Sequence, residues 1–282
     1  MPLRAVVVTG ASTGIGRATV IELVSAGFHV FGTVRREKDA DSLRRQFPEV
    51  VTPLIMDLLD EDSVYAAAEV VKAAGPLFGL VNNAGAALPG LLETIPLEVF
   101  RRQIEINLTG QLLVTQAMLP ALHRSAEQAG DARIIMIGSI GGRLSGPLLG
   151  GYGAAKHGLV GLSTSLRAEL APFKIKVVLI EPGAIKTPIW SRGSAAGEDV
   201  QSRNPDSNVR YAQQIEASAK MAKRLAASGL DPSVPAKVIL EAVQSENPAP
   251  RQVVGREAKV IAAMVRVLPF RALYRLVARR RP

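Results

Sequence analysis

The chain has 282 residues, 48% of them hydrophobic and 21% charged, with a formal net charge of +9; this is enough for one large α/β domain with a well-buried core. It contains no cysteine, which excludes disulfides, thiolate metal sites and cysteine nucleophiles, and its three histidines, His29, His123 and His157, lie without ligand spacing, so no metal is expected. The charge is uneven: residues 251–282 hold nine Lys or Arg against one acid, Glu257, while the first 250 residues carry only +1. The basicity belongs to a tail, and no nucleic-acid partner is expected from it.

The N-terminus, MPLRAVVVTG, runs straight into a strand-like segment without the pattern of a signal peptide. No run approaches the roughly 18 apolar residues that span a bilayer, so a cytoplasmic location is the default expectation. From Arg4 the segment AVVVTG reads as a buried strand, followed by ASTGIG and the helical pattern RATVIELVSAG. Gly10, Gly14 and Gly16 thus lie between strand and helix, where a glycine-rich turn lets backbone N–H groups approach a pyrophosphate and the helix N-terminus adds favourable partial charge. Gly27 closes that helix.

The second strand, HVFGTV, ends at Val34 and is followed by Arg35 and Arg36. An acid in this region accepts from ribose hydroxyls, whereas guanidinium groups suit a phosphate. NADP(H) is therefore favoured over NAD(H). A polar helix around 40–47 leads to a third strand, VTPLIMDLLD, with Asp57 at its end, then a helix from Asp60 to Ala74 capped by Asp60. FGLVNNAG gives a fourth strand and the turn Asn82-Asn83-Ala84-Gly85, whose amides can brace a strand end by bonding neighbouring backbone. Residues 98–123 form one long helical pattern, with Asn107 inside its apolar periodicity.

ARIIMIGS is the fifth strand and delivers Ser139 to its C-terminal end, where open parallel sheets bind ligands. A helix from about Gly151 carries Tyr152 and Lys156, which share a face at i and i+4. A free phenol has a pKa of roughly 10, and an ammonium one turn away favours the phenolate. The pair reads as a general acid/base unit, with Ser139 able to hydrogen-bond the reacting oxygen. KIKVVLIEPG is the sixth strand, ending at Pro182-Gly183. Residues 190–208 read as a Gly/Ser-rich loop and 209–228 as a helix, together a lid over about 188–230. A helix at 234–244 and the strand RQVVG complete an alternation of strands and helices suited to right-handed crossovers.

In this order the residues resemble the short-chain dehydrogenase/reductase family, in its shorter form. The matching motifs are TGASTGIG (Thr9–Gly16), NNAG (Asn82–Gly85), Asn107, Ser139, Tyr152-x-x-x-Lys156, and Pro182-Gly183 with Thr187. The resemblance implies a Rossmann-type, doubly wound parallel sheet of about seven strands and hydride transfer between a nicotinamide and a carbonyl or alcohol. It implies that Tyr152 exchanges the proton, Lys156 binds the nicotinamide ribose and depresses the tyrosine pKa, Ser139 positions the substrate, and Asn107 holds a water linking Lys156 to solvent. The cofactor set it implies comprises Gly10, Ser12, Thr13, Gly14, Ile15 and Gly16; Arg35 and Arg36; Asp57 and Leu58; Asn83, Ala84 and Gly85; Tyr152 and Lys156; and Pro182, Gly183, Ile185 and Thr187. Thr13 departs from the basic residue that some NADP-using members place there, so cofactor choice rests on Arg35 and Arg36. Dimers or tetramers are the family's usual assembly.

The apolar loop after Asn83 and the lid point to a lipophilic substrate, and the length and C-terminal region are similar to members acting on steroids or retinoids. Two alternatives share the fold: a β-ketoacyl-type reductase on a carrier-linked substrate, and a non-catalytic NADP(H)-binding redox sensor. The Rossmann-type domain is expected over residues 1–255 and a basic amphipathic extension over 256–282. In a helix across 269–281, Arg271, Arg275 and Arg279 line one stripe and Phe270, Leu273, Leu276 and Val277 another, a pattern suited to the inner face of an anionic membrane.

Overall fold

The computed structural model describes residues 4–278. Seven parallel strands form one sheet: β1 (Ala5–Val8), β2 (His29–Val34), β3 (Val51–Ile55), β4 (Leu77–Asn82), β5 (Ala132–Ile137), β6 (Ile175–Pro182) and β7 (Arg251–Val254), in the order β3-β2-β1-β4-β5-β6-β7. The order reverses between β1 and β4, which opens a crevice outside their carboxyl ends.

Alternation along the strands divides the core in two. Val7, Phe31, Leu80, Ile134, Met136, Val177 and Leu179 face one side, where α3 (Glu61–Ala74), α5 (Gly110–Ala129) and α6 (Gly150–Leu170) cover them. Val6, Val8, Val30, Ile135, Ile137, Val178 and Ile180 face the other, packed under α1 (Gly14–Ser25) and α10 (Ser233–Gln244). Each such side chain contributes about 1.5–3 kcal/mol by leaving water, and covering both faces explains why these strands read as near-continuous apolar runs. The short α2 (Glu37–Gln46) lies beside β2 and β3. The predicted cap of α3 is present: Asp60 Oδ1 accepts from the Ser63 amide at 3.3 Å.

Two expectations are corrected. The long helix at 98–123 is α4 (Leu97–Ile104), a π turn at Glu105–Thr109, and α5. The turn widens where side chains compete for backbone: Asn107 Nδ2 donates to the Gln103 carbonyl and Gln111 Nε2 to that of Ile106. Residues 190–208 are not a loop but mostly α7 (Ile189–Ser202) and α8 (Pro205–Arg210), followed by α9 (Ala212–Ser228). Gly193 and Gly197, which argue against a helix locally, lie where α7 meets Ala87 and Pro89, and tertiary packing overrides propensity. Beyond β7 the chain forms α11 (Arg256–Val267) and α12 (Phe270–Ala278), divided at Leu268-Pro269; Ala258, Ala262 and Leu273 are buried. The expected continuation through Arg279, Arg280 and Arg281 lies outside the described residues.

Candidate active site

The residues singled out from the sequence converge on the carboxyl edge of the sheet. Gly10 to Gly16 form the turn between β1 and α1; Arg35 and Arg36 follow β2; Asp57 and Leu58 follow β3; Asn83, Ala84 and Gly85 follow β4; Ser139 follows β5; Pro182 ends β6, with Gly183, Ile185 and Thr187 just beyond.

The first turn is shaped for close approach by a ligand's phosphates. Gly10 and Gly14 have φ of +68° and +58°, a conformation that L side chains rarely adopt. A Cβ at Gly16 would lie 2.3 Å from the Gly10 carbonyl oxygen, so only glycine fits. Thr13, the N-cap of α1, makes no side-chain capping bond, so the first-turn amides face outward uncapped. A Cβ at Gly14 would meet the Thr187 methyl at 2.9 Å, so the segment beyond β6 sits directly against this turn. Ser12, Thr13 and Ile15 are half-buried around it. The arrangement fits a dinucleotide pyrophosphate.

The NNAG turn braces that crevice as the sequence suggested. The Thr9 hydroxyl accepts from the amides of Asn83 and Ala84, both at 2.9 Å, and Asn83 Nδ2 donates to the Thr9 carbonyl at 2.8 Å. Asn82 Nδ2 donates to Thr115 Oγ1 at 2.8 Å. Beyond β3, Asp57 Oδ1 accepts from the Leu59 amide at 3.1 Å, and Leu58 is buried. Arg35 is exposed and takes part in no ion pair among the described residues, whereas Arg36 holds Asp39 at 3.0 Å.

Ser139, Tyr152 and Lys156 meet at the head of α6. Ser139 Oγ accepts from the Gly141 amide at 3.0 Å, and a Cβ at Gly141 would lie 3.3 Å from Tyr152 Cε1. Lys156 is 5% exposed, and its Nζ donates to the Ile137 carbonyl at 2.8 Å while lying 5.9 Å from the Tyr152 ring centroid. Burial lowers the Lys156 pKa to about 8. Burial also raises the Tyr152 phenol, with the Ser139 hydroxyl pulling the other way. The Lys156 ammonium is directed at the Ile137 carbonyl, and burial is the larger influence on the phenol.

Asn107 lies in the π turn, fully buried, with Nδ2 donating to the Ala86 carbonyl at 2.8 Å. Its Oδ1 is buried without a partner among the described residues, which a small polar ligand such as water would satisfy. The turn packs on α6: a Cβ at Gly158 would meet Leu108 Cδ2 at 2.8 Å.

Sequence reasoning missed Glu181. This acid, fully buried near the end of β6, binds both Arg143 and Arg251. The available signal was a carboxylate inside the apolar strand KVVLIEPG, which requires a charged partner if buried. Thr9, Gln103 and Gln111, whose side chains knit the turns together, were missed as well.

Comparison with known proteins bears on this arrangement. Residues 4–196 match the family model described as short chain dehydrogenase. The chain belongs to the short-chain dehydrogenase/reductase (SDR) family. It is 34% identical over 274 residues to an NADPH-dependent 3-dehydrocapnine reductase from Ornithobacterium rhinotracheale, covering 96% of this chain and 95% of the relative. It is 36% identical over 195 residues to human retinol dehydrogenase 16, covering 66% of this chain and 58% of the relative. A short-chain dehydrogenase from Streptomyces avermitilis superposes with a TM-score of 0.80 at 31% identity, over 93% of this chain and 91% of that one. As an SDR this protein is a nicotinamide dinucleotide-binding oxidoreductase acting on CH–OH or carbonyl groups.

Proposed function

We propose that this SDR interconverts a ketone or aldehyde and its alcohol on a hydrophobic substrate, with NADP(H) as cofactor and Tyr152 as the acid/base. The observation that supports the reading is a shared sheet edge: Ser139 follows β5, Tyr152 and buried Lys156 stand at the head of α6, and Thr187 beyond β6 packs against Gly14 in the turn after β1. The dinucleotide, when bound, supplies or accepts the hydride. Ser139 Oγ and the Tyr152 hydroxyl hold the substrate oxygen. Tyr152, its phenol kept protonated by burial, gives up the proton in reduction and takes it in oxidation. Lys156, cationic below about pH 8, favours the phenolate as that proton leaves. Asn107 Oδ1 holds a water through which the proton is replaced.

NADP(H) is supported by the exposed Arg35 guanidinium beyond Val34, in no ion pair among the described residues, and by the NADPH dependence stated for the 3-dehydrocapnine reductase relative. The test is fluorescence titration with NADPH and NADH, followed by turnover of a panel of steroid, retinoid and alicyclic ketones. Arg35→Asp is expected to weaken NADPH binding by about tenfold or more, the scale of one charge-assisted contact of about 1.5–3 kcal/mol, and to spare NADH. Equal loss for both cofactors would overturn the assignment.

The hydrophobic substrate class is supported by the apolar contact of Ala87 and Pro89 with α7 and by the retinol dehydrogenase relative. Assembly as a homodimer or homotetramer is part of this reading, as is a cytoplasmic location with peripheral membrane contact. No helix among the described residues is long and apolar enough to cross a membrane. Supporting surface contact, Val260, Val267, Phe270 and Tyr274 are 58%, 77%, 79% and 66% exposed, with Arg266, Arg271 and Arg275 exposed beside them. Truncation after residue 255 is expected to abolish co-sedimentation with phosphatidylserine vesicles; unchanged binding would exclude this role for the tail.

A further inference from the structure

Glu181 sits near the end of β6 with no exposed side-chain surface, yet it is fully engaged by two guanidinium groups. Arg143 reaches it with Nε at 3.1 and 3.0 Å and with Nη2 at 2.5 Å. Arg251, at the start of β7, adds Nε and Nη2, both at 2.7 Å. Burial pushes the carboxyl up, and the two arginines more than offset it, holding it below the usual carboxylate range.

Arg143 belongs to the loop that carries Ser139. Within that loop the Gly142 amide donates to the Ser139 carbonyl at 2.9 Å, the Arg143 amide to Ile140 at 3.0 Å, and Ser145 Oγ to the Gly141 carbonyl at 2.8 Å. The loop is wedged against α6: a Cβ at Gly142 would lie 2.7 Å from the Lys156 carbonyl oxygen, and one at Gly141 would press on the Tyr152 ring. Its other side is fastened to the strand that ends in Pro182 and leads into Gly183, Ile185 and Thr187. A packed apolar group would join loop and strand at less desolvation cost. What a forked guanidinium–carboxylate contact adds is direction, since both partners are planar and bond pairwise.

We propose that Glu181 is a positioning residue: through Arg143 it sets the Ser139 hydroxyl and the Tyr152 ring in register with the segment beyond β6. The inference rests on the reading that Ser139 and Tyr152 carry the chemistry.

The test compares Glu181→Gln in the wild-type and Ser139→Ala backgrounds, using NADPH and whichever ketone of the panel turns over, together with hydrogen exchange on the full-length protein. Glu181→Gln lowers kcat by about tenfold or more, the scale of an ångström-level misplacement, leaves KM for NADPH unchanged, and has a smaller effect in the Ser139→Ala background. Amides of residues 138–145 exchange faster while the sheet amides remain protected. An unchanged kcat, an equal loss in both backgrounds, or faster exchange throughout the sheet overturns the proposal. If Glu181→Gln does not fold, Arg143→Lys, which keeps the charge but not the fork, gives the same comparison. If no ketone turns over with the wild type, the proposed function fails, and the exchange pattern still decides whether Glu181 orders this loop.

Discussion

Replacing Tyr152 by phenylalanine is expected to lower kcat by about 10²- to 10⁴-fold, the contribution of a positioned general acid/base, and to leave the fold intact. The change removes one hydroxyl and no packing volume. Ser139 loses the phenol it hydrogen-bonds, but its Oγ keeps the bond from the Gly141 amide. The pH dependence follows from the direction of the phenol's shift. Burial raises Tyr152, so the neutral phenol persists through the neutral range, where the proposed mechanism uses it as proton donor. Ketone reduction is expected to hold a plateau at neutral pH and to fall in alkali. Alcohol oxidation, which needs the phenolate, rises with pH. Steady-state profiles in both directions check this, and Tyr152→Phe at wild-type turnover would remove the mechanism.

Lys156→Met is expected to abolish turnover and at the same time to relieve a cost that the wild type carries. Burial depresses the lysine from 10.5 to about 8. Between those values the unfolded chain holds a proton that the folded one does not, so unfolding takes up protons and stability rises with pH across that window. Below about pH 8 both states are charged and the full penalty is present. At about 1.36 kcal/mol for each tenfold change, the depression corresponds to roughly 3 kcal/mol. Against this, the Ile137 carbonyl loses its donor, which costs about 1–3 kcal/mol. The net effect at neutral pH is small. The decisive measurement is urea unfolding at pH 7 and pH 10: the wild type gains stability from Lys156 on this rise, and the methionine variant lacks that gain. Loss of activity without loss of stability is the signature of a group retained for chemistry.

The sequence was most informative where a local rule and the global fold agree. AVVVTG followed by Gly10, Gly14 and Gly16 announced a strand, a tight turn and a helix, and the ordered motifs placed the candidate residues at one sheet edge. It was least informative where a distant contact decides. Gly193 and Gly197 look like helix breakers until Ala87 and Pro89 lie against them. The π turn at Glu105–Thr109 depends on Asn107 and Gln111 taking backbone carbonyls, which hydrophobic periodicity cannot register. Glu181 was hidden because its two partners are 38 and 70 residues away. The tail's apolar stripe was readable, but Leu273 turned out to be buried while Phe270 and Tyr274 stay exposed.

The contact between α7 and the loop after β4 bears on how such enzymes diversify. A Cβ at Gly193 would lie 3.4 Å from the Ala87 carbonyl oxygen, and one at Gly197 would lie 3.5 Å from Pro89 Cβ. There is room for a methyl group at each position and for little more. A chimera that imports α7 from another family member, with bulkier residues at these two places, would hold that helix away from its seat. The helix α7 and the 86–90 segment pack as a unit, and a chimera is expected to keep that seat only when the two are transplanted as a pair.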